Sequence, residues 1–317
     1  MKFLEFENGD QMPMLGLGTW KSAPGDVYNA VREAIRIGYR HFDCAAIYRN
    51  EVEVGQALDD AFRAGDVKRE ELWITSKLWN NAHGQENVEA ALQQTLSDLR
   101  LSYLDLYLVH WPVALKAGIL FPEKGEDFVS LEERPIPETW KGMEALCKAG
   151  LARHIGVSNF SVKKLSELLK ACDIRPEMNQ VEMHPFLQQP ELVSYCHENN
   201  IFLTAYSPLG SKDRPDFLKS EDETSLLDNE IIKNIADAKG CSPAQVLIQW
   251  ALARGTAVIP KSVNPERLKQ NFEASNVQLN TEDMEKISKL DKLARYVRGV
   301  FWTMPGSPYT VADLWDE

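Results

Sequence analysis

Four polar side chains at the ends of apolar stretches could together exchange a proton with a small molecule. The three apolar runs are consecutive along the chain and read "YRHFDCA", "WITSKLW" and "LDLYLVH". The polar residues at or just after the ends of these runs are Asp43, Tyr48, Lys77 and His110. An ammonium group beside a phenol stabilises the phenolate and lowers the pKa of the phenol, and a carboxylate keeps that ammonium charged. An imidazole nitrogen can orient a substrate oxygen. The set predicts Tyr48 as a proton donor whose pKa Lys77 lowers.

Each of these four residues also has an ordinary structural interpretation. Asp43 could cap a helix and Tyr48 could be an amphipathic rim residue. Lys77 could extend its ammonium to solvent, and His110 could be a hydrogen-bonded core histidine. For any single residue the ordinary interpretation is favoured, but the matching positions at strand ends favour one shared site.

Short apolar runs alternate with longer amphipathic segments such as "DVYNAVREAIRIG" along most of the chain. The runs predict eight strands: "LGLGT", "YRHFDCA", "LWITSKL", "LDLYLVH", "HIGVSN", "EMNQVEM", "FLTAYSP" and "TAVIPKS". This alternation predicts a (β/α)8 barrel, a single domain over residues 1–317, preceded by a β-hairpin through Asn8-Gly9. The carboxyl ends of neighbouring barrel strands meet at one face, so the four polar residues are expected to converge there.

An open, doubly wound sheet that binds a dinucleotide is the alternative fold. Its G-x-G-x-x-G fingerprint is incomplete, because the sequence "GLG" at 16–18 continues with "TWK" and lacks the third glycine. The barrel is therefore favoured.

Three long stretches interrupt the alternation of strands and helices. They lie at about 112 to 136, at about 208 to 226, and in the tail from about 291. Long connections in a compact domain are usually functional, and the loops after barrel strands surround the active site. All three stretches are therefore expected around one pocket.

The sequence strongly resembles the aldo-keto reductases. The matching segments, in family order, are "GLGTW", "HFDCAAIYRNE", "WITSKLW", "LDLYLVHWP", "GVSNF", "NQVEMHP", "AYSPLGS" and "IPKSVNPERLKQNF". The resemblance implies a barrel closed at its base by the N-terminal hairpin, with bound NADPH as the cofactor. It also implies that the catalytic tetrad is Asp43, Tyr48, Lys77 and His110.

Several strand ends could bind the coenzyme. Amide and hydroxyl groups of Ser158, Asn159 and Gln180 could bind a nicotinamide carboxamide and Tyr206 could stack on the ring, although Ser158 and Asn159 could instead cap the following helix. The segment "KSVNPERLKQN" joins a strand end to a helix start, a favourable place for an anion. The resemblance assigns Lys261 and Arg267 to the ribose 2′-phosphate. The other expected coenzyme residues are Gly18, Thr19, Trp20, Asp43, Ser207, Leu209, Ser211, Ser262, Val263, Asn264, Gln270 and Asn271.

Aromatic residues near the predicted strand ends could line a substrate cleft. The expected substrate-binding residues are Trp20, Tyr48, Trp79, His110, Trp111, Phe121 and Trp302. Taken together, the residues and the resemblance predict NADPH-dependent reduction of aldehydes, and of ketones as a second class, with Tyr48 as the proton donor. Two other functions stay open: an NADPH-binding sensor without catalysis, and a glycosidase using strand-end carboxylates such as Asp43 and Glu182.

The net charge, the apolar runs and the cysteines of the sequence indicate which partners and which compartment to expect. The formal net charge of −12 disfavours a nucleic acid or an anionic membrane as the main partner. The acidic N-terminus and the lack of an eighteen-residue apolar run indicate a cytoplasmic protein, and five dispersed cysteines fit a reducing compartment. No metal-binding pattern occurs. By resemblance the protein is expected to be a monomer.

Overall fold

Eight parallel strands close into a barrel in the computed structural model, which describes residues 2–210 and 224–317. The described strands are β1 (Phe3–Glu5), β2 (Gln11–Pro13), β3 (Leu17–Gly18), β4 (His41–Asp43), β5 (Trp73–Leu78), β6 (Leu104–Val109), β7 (Ala114–Leu115), β8 (Phe128–Val129), β9 (Ala152–Ser158), β10 (Met178–Glu182), β11 (Phe202–Tyr206) and β12 (Ala257–Val258). One sheet contains eight of them, in the order β12, β11, β10, β9, β6, β5, β4, β3. All eight predicted strands are confirmed.

Backbone hydrogen bonds between the first and last barrel strands close the sheet. The N–H of Gly16 donates to the carbonyl oxygen of Val258 at 2.9 Å, and the N–H of Val258 donates to that of Met14 at 2.7 Å. The strands approach so closely that a Cβ on Gly18 would lie 2.8 Å from the carbonyl oxygen of Ile259. The predicted (β/α)8 barrel is therefore confirmed, and the open doubly wound sheet is wrong.

Amphipathic helices surround the barrel. They are α1 (Asp26–Ile37), α2 (Glu51–Ala64), α3 (Gln85–Leu99), α4 (Ile136–Lys148), α5 (Val162–Ala171), α6 (Pro190–Glu198), α7 (Glu230–Lys239), α8 (Pro243–Ala253), α9 (Pro265–Glu273), α10 (Thr281–Ser288) and α11 (Val311–Trp315). Helix α1 buries Val27, Ala30, Val31, Ala34 and Ile35. This spacing places one apolar face against the strands. By contrast, β5 and β6 are buried at every position, because parallel strands are covered on both faces.

The N-terminal hairpin closes the base of the barrel. Strands β1 and β2 pair in antiparallel fashion, and Gly9 in the connecting turn has a φ of 87°, which glycine adopts without steric cost. The ring of Phe6 lies 5.1 Å from that of Trp73, 4.1 Å from that of His154 and 4.9 Å from that of Phe202, measured between centroids. These three partners stand near the amino ends of their strands. The base is therefore sealed by an aromatic contact at the end opposite the strand carboxyl termini.

The stretch after β6 and the C-terminal tail pack against each other beside the carboxyl ends of the strands. Strands β7 and β8 form a small antiparallel hairpin within this stretch. The hydroxyl of Tyr309, in the tail, accepts from the N–H of Ala114 at 2.9 Å and donates to the carbonyl oxygen of Val129 at 2.6 Å. Of the long stretch at about 208 to 226, residues 211–223 lie outside the described residues. Its far end touches the tail, because the Tyr296 hydroxyl donates to the carbonyl oxygen of Thr224 at 3.2 Å.

The aromatic contact of Phe6 at the base of the barrel should contribute to the stability of the protein and not to its activity. Replacing Phe6 with alanine removes a buried ring and leaves a cavity, so the free energy of unfolding should fall by about 3 kcal/mol. Chemical denaturation measures this loss. Steady-state turnover at low temperature should stay at the unsubstituted value, because the hairpin lies at the far end of the barrel. A large fall in turnover without loss of stability contradicts the assignment of Phe6 to the seal.

Candidate active site

Lys77 is the centre of a hydrogen-bonded group at the carboxyl ends of β4 and β5. Its ammonium donates to Asp43 Oδ1 at 2.6 Å and to the carbonyl oxygen of Cys44 at 2.8 Å, and its Nζ lies 3.4 Å from the Tyr48 hydroxyl. Gln180 Nε2 donates to the other carboxylate oxygen of Asp43 at 2.7 Å. Lys77 is fully buried, so the interpretation of a lysine that reaches solvent is wrong. Its charge depends on these neighbours for compensation.

Strand pairing places these groups on the inner face of the barrel. Strands β4 and β5 pair in parallel, with Asp43 opposite Thr75. Side chains alternate along a strand, so Lys77 shares the inner face with Thr75 while Ser76 faces the helices. In agreement with this alternation, the Ser76 hydroxyl contacts Glu51 at the start of α2. Strand β5 therefore presents a cation to the interior and a hydroxyl to the helical layer.

Burial and charge change the pKa of Tyr48 in opposite directions. Burial raises this pKa to about 12, although the Lys77 ammonium lowers it. The expected net lowering of this pKa is therefore wrong, while the expected contribution of Lys77 has the right sign. Burial also works against the charge of Lys77, but the Asp43 carboxylate raises the pKa of Lys77 above its ordinary value. Near neutral pH the site thus holds a protonated phenol beside an ammonium group.

His110 completes the group from the carboxyl end of β6. Its ring meets that of Tyr48 edge to face, with centroids 6.0 Å apart. Burial, assisted by the charge of Lys77, lowers the pKa of His110 well below its ordinary value, so the imidazole is neutral. Its Nδ1 is buried without a hydrogen-bond partner among the described residues, which excludes a satisfied core histidine. A neutral imidazole of this kind can hydrogen-bond to a substrate oxygen.

The expected substrate residues form a continuous chain of ring contacts around His110. Trp20 lies 6.3 Å from Tyr48, and Trp79 lies 5.1 Å from His110, between ring centroids. The Trp79 ring is also 6.1 Å from that of Phe121 and 5.7 Å from that of Trp302. From Trp302 the chain continues at 5.8 Å to the remaining expected residue, Trp111. The structure therefore joins all seven expected substrate residues in one continuous aromatic cluster.

The strand-end amides lie beside the same group. Ser158 Oγ donates to the carbonyl oxygen of Gln180 at 2.8 Å, and Asn159 Oδ1 accepts from the Tyr206 hydroxyl at 2.7 Å. Ser158 and Asn159 do not cap α5, because Ser161 makes that contact with the N–H of Lys164. In the described part of the chain no group donates to Gln180 Oε1. This oxygen is therefore available to an amide N–H such as that of a nicotinamide carboxamide.

The segment at the start of α9 presents positive charge that no described residue neutralises through an ion pair. Lys261 and Arg267 form no ion pair with any described residue. Asn264 caps α9, because its Oδ1 accepts from the N–H of Arg267 at 3.1 Å, and its own N–H donates to Ser262 Oγ at 3.1 Å. Asn264 therefore orders the helix start. Two free cations at a helix N-terminus fit a phosphate group.

The structure describes all but one of the remaining expected coenzyme residues. Thr19 Oγ1 donates to the carbonyl oxygen of Asp43 at 2.9 Å, and Trp20 is partly exposed. Ser207 has a φ of 49°, a strained conformation of the kind found at ligand sites. The half-buried positions are Leu209, Val263 and Gln270, and Asn271 is buried. Ser211 lies outside the described residues.

Glu182 has a role that the sequence did not reveal. Its carboxylate is fully buried and accepts from the backbone N–H groups of Tyr296 at 2.6 Å and Val297 at 2.7 Å. His184 Nε2 lies 2.8 Å from the same carboxylate. Burial opposes ionisation, but these contacts hold the pKa of Glu182 below its ordinary value. Because both oxygens hold the tail, Glu182 is not a second carboxylate for glycoside hydrolysis.

Two further features of the described residues concern metal ions and membranes. Within residues 2–210 and 224–317, no group of three or more histidine, cysteine or acidic side chains is arranged to hold a metal ion. In the same described ranges, no helix combines the length and apolar character that crossing a bilayer requires.

A closed barrel with a charged group and an aromatic cluster at its strand carboxyl ends has the architecture of a (β/α)8 barrel enzyme. The model of the aldo/keto reductase family matches residues 14–292. An aldo/keto reductase of Synechocystis sp. is 55% identical over 317 residues, which cover 100% of this chain and 97% of the relative. Aldo-keto reductase family 1 member A1 of Mus musculus is 45% identical over 291 residues, 91% of this chain and 89% of the relative. The solved aldose reductase of Schistosoma japonicum matches with a TM-score of 0.88 at 40% identity, and the match covers 98% of this chain and 99% of that one.

The chain belongs to the aldo/keto reductase family. It is accordingly an oxidoreductase that acts on small carbonyl substrates, in a family that generally uses NAD(P)H. The expected family resemblance and the expected fold are both confirmed.

The charge state of His110 can be tested directly. Because burial and Lys77 both disfavour the imidazolium, the His110 ring should stay neutral as the pH falls from 8 to 5, within the range where an unperturbed histidine takes up a proton. Histidine-labelled protein followed by NMR reports this, with the His110 signal assigned from a His110→Gln sample. A His110 signal that titrates with a midpoint near that of an unperturbed histidine contradicts the buried neutral state.

Proposed function

We propose that the protein reduces aldehydes, and ketones as a second class, to alcohols with NADPH, and that Tyr48 is the proton donor. A bound NADPH supplies a hydride to the carbonyl carbon. The Tyr48 hydroxyl gives its proton to the carbonyl oxygen, so the products are an alcohol, NADP and a Tyr48 phenolate that takes up a proton from water before the next turnover. The observation that carries this proposal is the contact of 3.4 Å between Lys77 Nζ and the Tyr48 hydroxyl. Family membership supports the reaction class.

The raised pKa of Tyr48 suits a proton donor. A phenol with a pKa of about 12 keeps its proton at neutral pH, so the acid form is present when a substrate arrives. Hydride addition turns the carbonyl oxygen into an alkoxide, which is a stronger base than a phenolate. Lys77 stabilises the phenolate as it forms, and Asp43 keeps Lys77 charged. The cation therefore acts most strongly in the transition state, where it accelerates the reaction.

The neighbours of Tyr48 suit a carbonyl substrate. A carbonyl oxygen between the Tyr48 hydroxyl and the neutral His110 ring meets two groups that can hydrogen-bond to it. The aromatic rings of Trp20, Trp79 and Trp111 would shield the remainder of the substrate from water. Such a lining suits an apolar or aromatic substituent on the carbonyl carbon.

The charge at α9 supports NADPH as the coenzyme. Only the phosphorylated coenzyme carries a 2′-phosphate on the adenosine ribose. Lys261 and Arg267 are free to bind it, and the planar guanidinium can engage a phosphate through two parallel hydrogen bonds. At the other end, Gln180 and Tyr206 would hold the nicotinamide, with Ser158 and Asn159 supporting them. Both ends of the coenzyme thus meet groups of suitable chemistry.

The assignment of the proton donor predicts a separation of chemistry from binding. Tyr48→Phe should lower kcat for aldehyde reduction by about 1,000-fold, the typical contribution of a general acid, while NADPH binding stays unchanged. Lys77→Met should act in the same direction. The decay of the nicotinamide absorbance with a panel of aldehydes measures turnover, and Tyr28→Phe, a partly buried tyrosine that contacts Asp60, is the control. Unchanged turnover in Tyr48→Phe refutes the role, and no decay with any carbonyl in the unsubstituted protein favours the NADPH sensor.

The cations at α9 predict coenzyme selectivity. Arg267→Ala should raise the KM for NADPH by about 10- to 100-fold, because charge-assisted hydrogen bonds to phosphate are lost, and should leave the KM for NADH nearly constant. Lys269→Ala removes an exposed lysine of the same helix and should change neither constant. Equal effects of Arg267→Ala on the two coenzymes contradict a phosphate site at α9.

A further inference from the structure

Hydrogen bonds hold the segment that carries Tyr48 to the rest of the barrel at three places. It runs from Asp43 through a 3-10 turn at Ala46–Tyr48 to the start of α2. Lys77 holds the inner side of the segment through Asp43, as described above. Arg49, directly after Tyr48, has a φ of 57° in the left-handed region, which is uncommon for a residue other than glycine. A turn with this backbone conformation needs contacts outside itself to persist.

Two of the three contacts come from the residues that follow the turn. Asn50 Nδ2 donates to the carbonyl oxygen of Thr19 at 2.9 Å. Glu51, three residues after Tyr48, accepts from the Ser76 hydroxyl at 2.5 Å and from the Thr95 hydroxyl at 3.2 Å. These two hydroxyls belong to β5 and α3. Glu51 therefore ties the Tyr48 segment to the strand that carries Lys77.

Strand β5 thus contacts the Tyr48 segment from both of its faces. Lys77 contacts it inside the barrel, and its neighbour Ser76 contacts it on the helical side. Glu51, Ser76 and Thr95 are each 3% exposed or less, so water does not compete for these hydrogen bonds.

We propose that Glu51 is a positioning residue for the proton donor, which it holds at Lys77 through its hydrogen bond to Ser76. This inference rests on the proposed function of Tyr48. It assigns to Glu51 an effect on the proton-transfer step and none on coenzyme binding. A displacement of reacting groups by about 1 Å can lower a rate about 100-fold, so a lost contact at this position has a measurable effect.

The chemistry of Glu51 provides a conservative substitution. Burial raises the pKa of Glu51 to about 7, and the hydroxyls of Ser76 and Thr95 offset only part of that rise. A neutral side chain is therefore compatible with the site at neutral pH. In Glu51→Gln, Oε1 can still accept from Ser76 and Nε2 can donate to Thr95 Oγ1. Glu51→Ala removes both contacts, and Ser76→Ala removes the shorter one with little loss of volume.

Kinetics of the full-length protein with NADPH and an aldehyde test the proposal. Glu51→Ala and Ser76→Ala should lower kcat by about 10-fold or more, with an unchanged dissociation constant for NADPH, and Glu51→Gln should restore kcat. The solvent deuterium isotope effect on kcat should increase in the two alanine variants, because proton transfer becomes slower. Ser76→Ala keeps the proposal testable if Glu51→Ala does not fold.

A matched control separates positioning from stability. Glu144 is also a buried carboxylate, and it accepts from the backbone N–H groups of Asp173 and Ile174 on the outer layer. Glu144→Ala should lower the melting temperature and leave kcat unchanged. If the Glu51 and Ser76 variants also lose melting temperature alone, or if Glu51→Gln does not restore kcat, the proposal is overturned.

A second measurement does not depend on turnover. In coenzyme-free protein with 13C-labelled tyrosine, the ring carbon bearing the hydroxyl of Tyr48 reports its surroundings, and Tyr48→Phe assigns the signal. The signal should move in Glu51→Ala and stay in place in Glu51→Gln and Glu144→Ala. If the unsubstituted protein reduces no carbonyl compound, the proposed function fails. An unmoved signal in Glu51→Ala overturns the positioning role itself.

Discussion

The buried ammonium of Lys77 imposes the main constraint on this structure. A fully buried charge is strongly destabilising unless an opposite charge and hydrogen bonds compensate it. Asp43 supplies the charge, and the carbonyl oxygen of Cys44 supplies a further acceptor. The Tyr48 hydroxyl lies at the remaining side of the ammonium. The geometry of the site therefore follows from the need to keep one cation ionised inside a barrel.

Most of the fold could be predicted from the sequence because buried strands and amphipathic helices have different patterns of hydrophobic residues. Apolar runs such as "LDLYLV" are buried at every position, whereas α1 buries only one face. The barrel in turn places strand ends at one face, which explains why Asp43, Lys77 and His110 converge although they are far apart in sequence. The closure between Gly16 and Val258 follows from the strand count, because eight parallel strands satisfy the usual barrel geometry.

The rest required the three-dimensional structure. The pKa of Tyr48 depends on how deeply the ring is buried, and burial outweighs the effect of the neighbouring cation. Glu182 is a strand-end carboxylate, as catalytic residues often are, but its partners are backbone N–H groups of Tyr296 and Val297, more than 100 positions away. Glu51 lies within the recognised segment "HFDCAAIYRNE", but its partners stand on β5 and α3. Such contacts depend on tertiary packing, which periodicity does not encode.

The attachment of the tail to Glu182 has a consequence for the order in which the protein matures. Trp302 belongs to the aromatic cluster, and the tail that carries it is joined to the barrel through Tyr296 and Val297. During synthesis on the ribosome, these residues emerge after the last barrel strand. A nascent chain can therefore bring Lys77 and Tyr48 together before Trp302 is in place. The aromatic cluster is completed last, when the segment that carries Trp302 docks on the barrel.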